Sequence, residues 1–280
     1  MFNAMVWGLS WWPMRQLQAA GLHPLWATTL IFGLAVAIIG SLRPAAWREL
    51  ATQPGLWIIV LAAGTTNASF NWGITVGDVV RVVLLFYLMP LWTVVLARLV
   101  LHEAITGPAL LRVALALAGA LCVLWPADGR SPFGLGGGPA DLLGLLGGFS
   151  FAVNNIMLRR SASAGLSASS SGGLGLAMFL GGCLVSLGLT QVQALPALPA
   201  WSWHWGALVA ALTACYLLSN LLLQYGAARL SANATSVIML TEVLWAAGSA
   251  IWLGAGALTP QLALGAGLII AAAVLASPRG

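Results

Sequence analysis

The chain has 280 residues, of which 60% are hydrophobic and only 6% charged, and its formal net charge is +5. Soluble domains carry roughly 25% charged residues, so this composition excludes water as the solvent for most of the surface and points to a lipid bilayer. Every basic residue is an arginine, set singly or in pairs near the ends of apolar runs. That placement fits topology signals rather than a phosphate-binding patch, and no nucleic-acid partner is expected.

A spanning helix needs about 20 mainly apolar residues. Taken from the N-terminus, the first predicted span covers 2–18 and contains Pro13 and Arg15. It lacks a basic region followed by a cleavage site, so it reads as a permanent span rather than a signal peptide. Gly21-Leu22-His23-Pro24 interrupts the chain before the second span, 25–42. Arg43-Pro44 and Gln53-Pro54 bracket the loop that leads to the third, 55–75. The fourth, 80–100, holds Pro90 near its middle, and the fifth is 109–125. The sixth and seventh are 140–158 and 172–190. Pro196, Pro199 and the Trp201/Trp203/Trp205 cluster precede the eighth, 205–225; tryptophan suits a membrane–water interface. The ninth and tenth are 234–253 and 261–277. The fold class predicted is therefore an all-α integral membrane protein of ten transmembrane helices. With the N-terminus inside, Arg43, Arg48, Arg98, Arg112, Arg159, Arg160, Arg229 and Arg279 fall on the inner side, against Arg15, Arg81 and Arg130 outside. The positive-inside rule then places both termini in the cytoplasm.

The longest linker, 127–139, divides the chain into 1–126 and 140–280, with five spans in each part. At an offset of 153 residues Asn67 falls on Asn220, Gly73 on Gly226, Leu91 on Leu244, Trp92 on Trp245 and Thr106 on Thr259. At an offset of 144 Arg15 falls on Arg159 and Gly21 on Gly165. Five is odd, so the second part must enter the membrane from the opposite side. That predicts two inverted five-helix repeats, a plan of secondary transporters with the substrate site near midplane.

Several residues are candidates for that site. Glu242 lies deep in the ninth span, where an acid costs about 2.5–3.5 kcal/mol. It either faces a central cavity, meeting a cargo ammonium or holding a proton, or ties helices together. Asn67 and Asn71 share one face of the third span, as Asn220 and Gln224 do on the eighth. Amides both donate and accept, as an amino-acid zwitterion requires; the other reading is interhelical hydrogen bonding. Asn154 and Asn155 point about 100° apart on the sixth span, so one is expected to line the cavity and the other to pack. Trp7 and Trp11 share a face of the first span and, with Tyr87, are candidates for an aromatic wall. The Tyr87 hydroxyl also needs a partner away from water. Pro90 is either a hinge or a static kink. Gly144 and Gly148 form a G-x-x-x-G that permits close helix approach. Cys122, Cys183 and Cys215 lie far apart in apolar runs, so no metal site and no cofactor are expected. There is no H-E-x-x-H, no G-x-S-x-G and no cluster of acids, so the chain is not expected to be an enzyme.

Two stretches, Trp7-Gly8-Leu9-Ser10 leading to Gly21-Leu22-His23-Pro24, and Pro90 through Leu101-His102-Glu103-Ala104-Ile105-Thr106, resemble the EamA-type drug/metabolite transporter superfamily. Within it, Phe86-Tyr87-Leu88-Met89-Pro90-Leu91-Trp92-Thr93 is similar to the aromatic amino-acid exporter branch. The resemblance implies a carrier in a bacterial inner membrane that exports Phe, Tyr and Trp; other members of the fold export other amino acids or cationic drugs. The Glu-Pro pair found in many relatives is split here: Met89-Pro90 keeps the proline and Glu242-Val243 keeps the acid. Gly256 stands where the first half has Glu103.

Overall fold

The computed structural model describes residues 1–76, 79–125, 138–163, 172–254 and 259–276, without the side chains of 71, 74–76, 79–81, 162 and 163. The predicted linker falls mainly outside the described residues, as do Asp78, Arg130, Gly256 and Arg279 and the side chains of Asn71 and Arg81. The described chain is helical: α1 Phe2–Leu9, α2 Trp11–Ala19, α3 Pro24–Leu42, α4 Ala45–Thr52, α5 Pro54–Val76, α6 Val79–Phe86, α7 Met89–Val100 and α8 Gly107–Leu124. It continues as α9 Pro139–Ser163, α10 Gly172–Val192, α11 Trp203–Ala227, α12 Ala232–Met239, α13 Glu242–Trp252 and α14 Pro260–Ala276. Among the described residues, seven helical stretches are long and apolar enough to cross a membrane, with α6–α7 and α12–α13 each counting as one stretch. The chain is a multi-pass membrane protein.

Most helix ends have local causes. His23 caps α3 by accepting from the Leu25 amide at 3.2 Å, with Pro24 in the first turn. Burial pushes the His23 imidazole down from its usual pKa, which favours the neutral ring that can accept. Thr106, Ser202 and Ser231 cap α8, α11 and α12 in the same way. At the end of α2, Gly21 has φ 86°. Leu22 N–H reaches back to Leu17 O at 3.0 Å, and Gly21 N–H to Gln18 O at 2.9 Å. This is a Schellman ending, with buried Leu17 and Leu22 in the positions that make its apolar contact.

Three of the predicted spans are each two helices rather than one. α1 ends at Leu9, four residues before Pro13, and α6 ends at Phe86, four residues before Pro90. In each case the proline lacks the N–H that would bond the last carbonyl of the preceding helix. Pro90 therefore sits in the first turn of α7, where that lack costs little, and the break itself is at Tyr87–Leu88. The third break, at Leu240–Thr241, has no proline. There the Thr241 hydroxyl donates to Ile238 O at 2.7 Å, and the Thr241 amide bonds the same carbonyl at 3.1 Å. The side chain and a tightened turn replace helical bonding. The breaks at 87–88 and 240–241 are 153 residues apart, the offset at which the sequence matches itself.

α4 was not predicted from the sequence, being only eight residues long. It buries Ala46 and Leu50 and exposes Trp47 and Arg48. Its Glu49 Oε2 accepts from the Gly173 amide at 2.8 Å, capping α10.

Packing joins the two parts of the chain throughout. α5 lies against α9 and α10, α3 against α10, α8 against α14, α6 and α7 against α9, and α1 against α11 and α13. Glycines permit several of these approaches, two of them at helix breaks. Gly148 on α9 lies against the Phe86 carbonyl, and Gly8 on α1 against the Glu242 carbonyl; a Cβ at either position would collide with that backbone oxygen. The breaks at 87–88 and 240–241 are thus each clasped by a helix from the other part of the chain.

Candidate functional site

The two breaks meet. Tyr87, in the turn between α6 and α7, donates its hydroxyl to Glu242 Oε1 at 2.8 Å. Glu242 is the first residue of α13, so its carboxylate lies at the positive end of that helix, where unpaired amides favour negative charge. Tyr87 is buried, whereas Glu242 keeps some exposure. Among the described residues no basic side chain pairs with Glu242, and Tyr87 is its one side-chain hydrogen-bond partner.

An aromatic cluster adjoins this contact through Phe86. Phe86 lies 6.2 Å from Tyr87, 5.1 Å from Phe70 on α5 and 5.9 Å from Phe151 on α9, centroid to centroid. A second group lies beyond Gly8. Trp7 stacks on Tyr216 of α11 at 4.8 Å and 16°, Tyr216 meets Phe32 edge-on at 6.0 Å, and Phe32 meets Phe179 at 5.3 Å. Trp7 packs against both main apolar cores. Phe151 and Trp7 are 144 residues apart, the second offset of the sequence match, so equivalent positions carry one ring in each group.

The other predicted residues fall into different settings. Trp11 donates to Ser249 Oγ at 2.9 Å, joining α2 to α13, and Arg15 lies over its ring at 5.6 Å. Asn67 donates to Ala63 O of its own helix at 2.8 Å. Asn220 and Gln224 bond each other at 2.5 Å, and Asn220 reaches Met178 Sδ at 3.2 Å. Asn154 and Asn155 are 3% and 1% exposed. The Asn154 oxygen and both polar atoms of Asn155 have no hydrogen-bond partner. Buried amides are rarely left in that condition. One turn beyond Asn155, Arg159 donates to Ala228 O at 2.7 Å. That bond joins the last turn of α9 to the end of α11, so Asn155 and Gln224 each lie one turn before the joined pair.

Some residues not picked out from the sequence also belong to this region. Tyr216 is the stacking partner of Trp7. Asn3 donates to Ser219 Oγ at 2.6 Å, and Ser236 to Thr93 Oγ at 2.8 Å, joining α1 to α11 and α12 to α7. The available signal was their spacing: Tyr216, Asn220 and Gln224 recur every fourth residue on one face of α11. A shallow open cleft lies between α1, α11 and α12, lined by Asn3, Gly226, Thr235 and Met239 among others. Among the described residues predicted for the site, none lines it; Glu242 lies three residues along the chain from the cleft wall at Met239.

Residues 1–125 match the EamA-like transporter family. No curated protein matches the chain. Among solved structures 16 chains match. One, a crystal structure of a protein 18% identical in sequence, superimposes with a TM-score of 0.77 over 99% of this chain and 94% of its own. At that identity the likeness is one of fold, and it extends through both halves.

Proposed function

We propose that this protein is a secondary transporter that exports small aromatic solutes, the amino acids Phe, Tyr and Trp first among them, by alternating access. It does so with ten spans in two inverted five-helix repeats, 1–126 and 140–280, joined by 127–139. The ten are the seven stretches above together with α1–α2, α5 and α14. Both termini lie on the cytoplasmic side of a bacterial inner membrane, the side that receives most of the arginines.

The observation that carries this reading is the Tyr87–Glu242 hydrogen bond. It joins two helix breaks that stand 153 residues apart, the offset at which the sequence matches itself. Discontinuous helices in corresponding positions are the strongest pointer to a midplane site in an inverted-repeat carrier. An acid, a phenol and unpartnered amides beside Phe70, Phe86 and Phe151 provide for an ammonium, a carboxylate and a ring. The match of residues 1–125 to a transporter family supports the same reading, and no covalent step is required of it. Trp7, Trp11, Asn67, Asn71, Asn154, Asn155, Asn220 and Gln224 complete the proposed binding set.

The test is counterflow of labelled Phe, Trp, Thr and a cationic dye in proteoliposomes. Saturable flux with preference for Phe and Trp is expected. A second reading, export of other amine-bearing metabolites or cationic drugs, is favoured by the absence of a described basic partner for Glu242. Preference for Thr or the dye would establish it and reject the aromatic amino acids.

A further inference from the structure

We infer that the Tyr87 hydroxyl stands in for the cargo ammonium when the carrier is empty, and that this contact is what lets the empty carrier return. The inference rests on the transport reading above. In the described structure the Glu242 carboxylate has one side-chain partner, the phenol of Tyr87 at 2.8 Å, and no basic side chain. Tyr87 comes from the break in the first half and Glu242 from the break in the second, so the contact spans the seam along which the halves rock.

A carboxylate carried through a low-dielectric passage without a partner is strongly disfavoured. Loaded carriers meet that need with the cargo ammonium. Among the described residues, the empty carrier offers the carboxylate the phenol and the α13 N-terminus. Cargo binding therefore displaces Tyr87 from Glu242, and cargo release restores the contact before the carrier resets. Tyr87 is thus a positioning residue: it acts through Glu242 and governs the empty half of the cycle.

Two transport modes separate this role from a structural one. Exchange, with cargo on both sides, needs only loaded carriers to move. Net efflux into cargo-free buffer also needs the empty return. In liposomes loaded with labelled Phe, at equal pH on both sides, Tyr87→Phe is expected to lower the ratio of net efflux to exchange by about tenfold or more, the scale of one lost hydrogen bond to a charged group. Adding Glu242→Gln to Tyr87→Phe removes the charge and is expected to restore the ratio. A tyrosine that served only packing would depress both modes alike, and Gln at 242 would not rescue it; either result overturns the inference. Should Tyr87→Phe not fold, Glu242→Gln alone carries the test, because its ratio must not fall below that of the wild type. Wild-type flux of the cationic dye alone would reject aromatic amino acids as cargo while leaving this test to be run with the dye. No wild-type flux of any probe rejects the transport reading and this inference together.

Discussion

Pro90 and Phe86 stand four residues apart, so the amide hydrogen that helical geometry would direct at the Phe86 carbonyl does not exist. α6 ends there. Gly148 of the opposite half then fits against that free carbonyl, close enough that no side chain could come between. One residue type makes the break, and another, from a helix more than fifty positions away, holds it.

Replacing Pro90 by alanine restores the missing donor and removes a penalty of about 3 kcal/mol against a continuous helix. The straight form of α6–α7 gains stability, and the turn that carries Tyr87 loses its advantage. Transport is expected to slow several-fold in maximal rate with little change in half-saturation. Equal changes in both parameters would argue against Pro90 as a hinge.

Gly148→Ala makes the converse perturbation, placing a methyl group against the Phe86 carbonyl. Overpacking of this kind costs about 1–3 kcal/mol, and a lower Tm in detergent is expected. The same substitution at Gly188, where a Cβ meets nothing within 4 Å, is the control and should leave Tm within a degree or two. A Gly148→Ala protein as stable as the control would show that α9 and α6 can separate freely.

Much of the architecture was legible in the sequence, because apolar runs bounded by proline and glycine report helices directly. The breaks were harder to place. Pro90 was visible, but its effect falls at Phe86 and Tyr87, where the lost bond would have ended, and α6 and α7 together still read as one apolar run. The break at Thr241 has no proline signal; it depends on a hydroxyl turning back onto Ile238, a choice that local sequence leaves open. Glu242 and Tyr87 were each legible as groups needing a partner, but their pairing spans 155 positions and is set by how the two halves meet. The same limit applies to Asn155, whose residue type suggested a hydrogen-bond role and whose lack of a partner only the packing reveals.

That lack makes Asn155 separable from a structural residue. A buried amide without partners costs the fold about 1–3 kcal/mol. Asn155→Leu, similar in volume, should therefore raise Tm. If the amide serves cargo, flux should fall about tenfold in the same variant, the worth of roughly one such hydrogen bond. A rise in Tm with unchanged flux would remove Asn155 from the proposed site.

Asn67 and Asn220 stand at the 153-residue offset of the sequence match, yet their side chains are engaged differently, and their variants should differ accordingly. Asn67 spends its amide on Ala63 of its own helix, and an exchange for alanine there loses a bond that the backbone does not need. Asn220 holds Gln224 and reaches Met178 across to α10, so its loss frees Gln224 and loosens the face that also carries Tyr216. Asn220→Ala should raise half-saturation about tenfold, equivalent to about 1.4 kcal/mol of binding, and Asn67→Ala by much less. Equal effects would mean that Asn67 turns from Ala63 toward cargo during the cycle; no effect from either would remove the paired amides from the binding set.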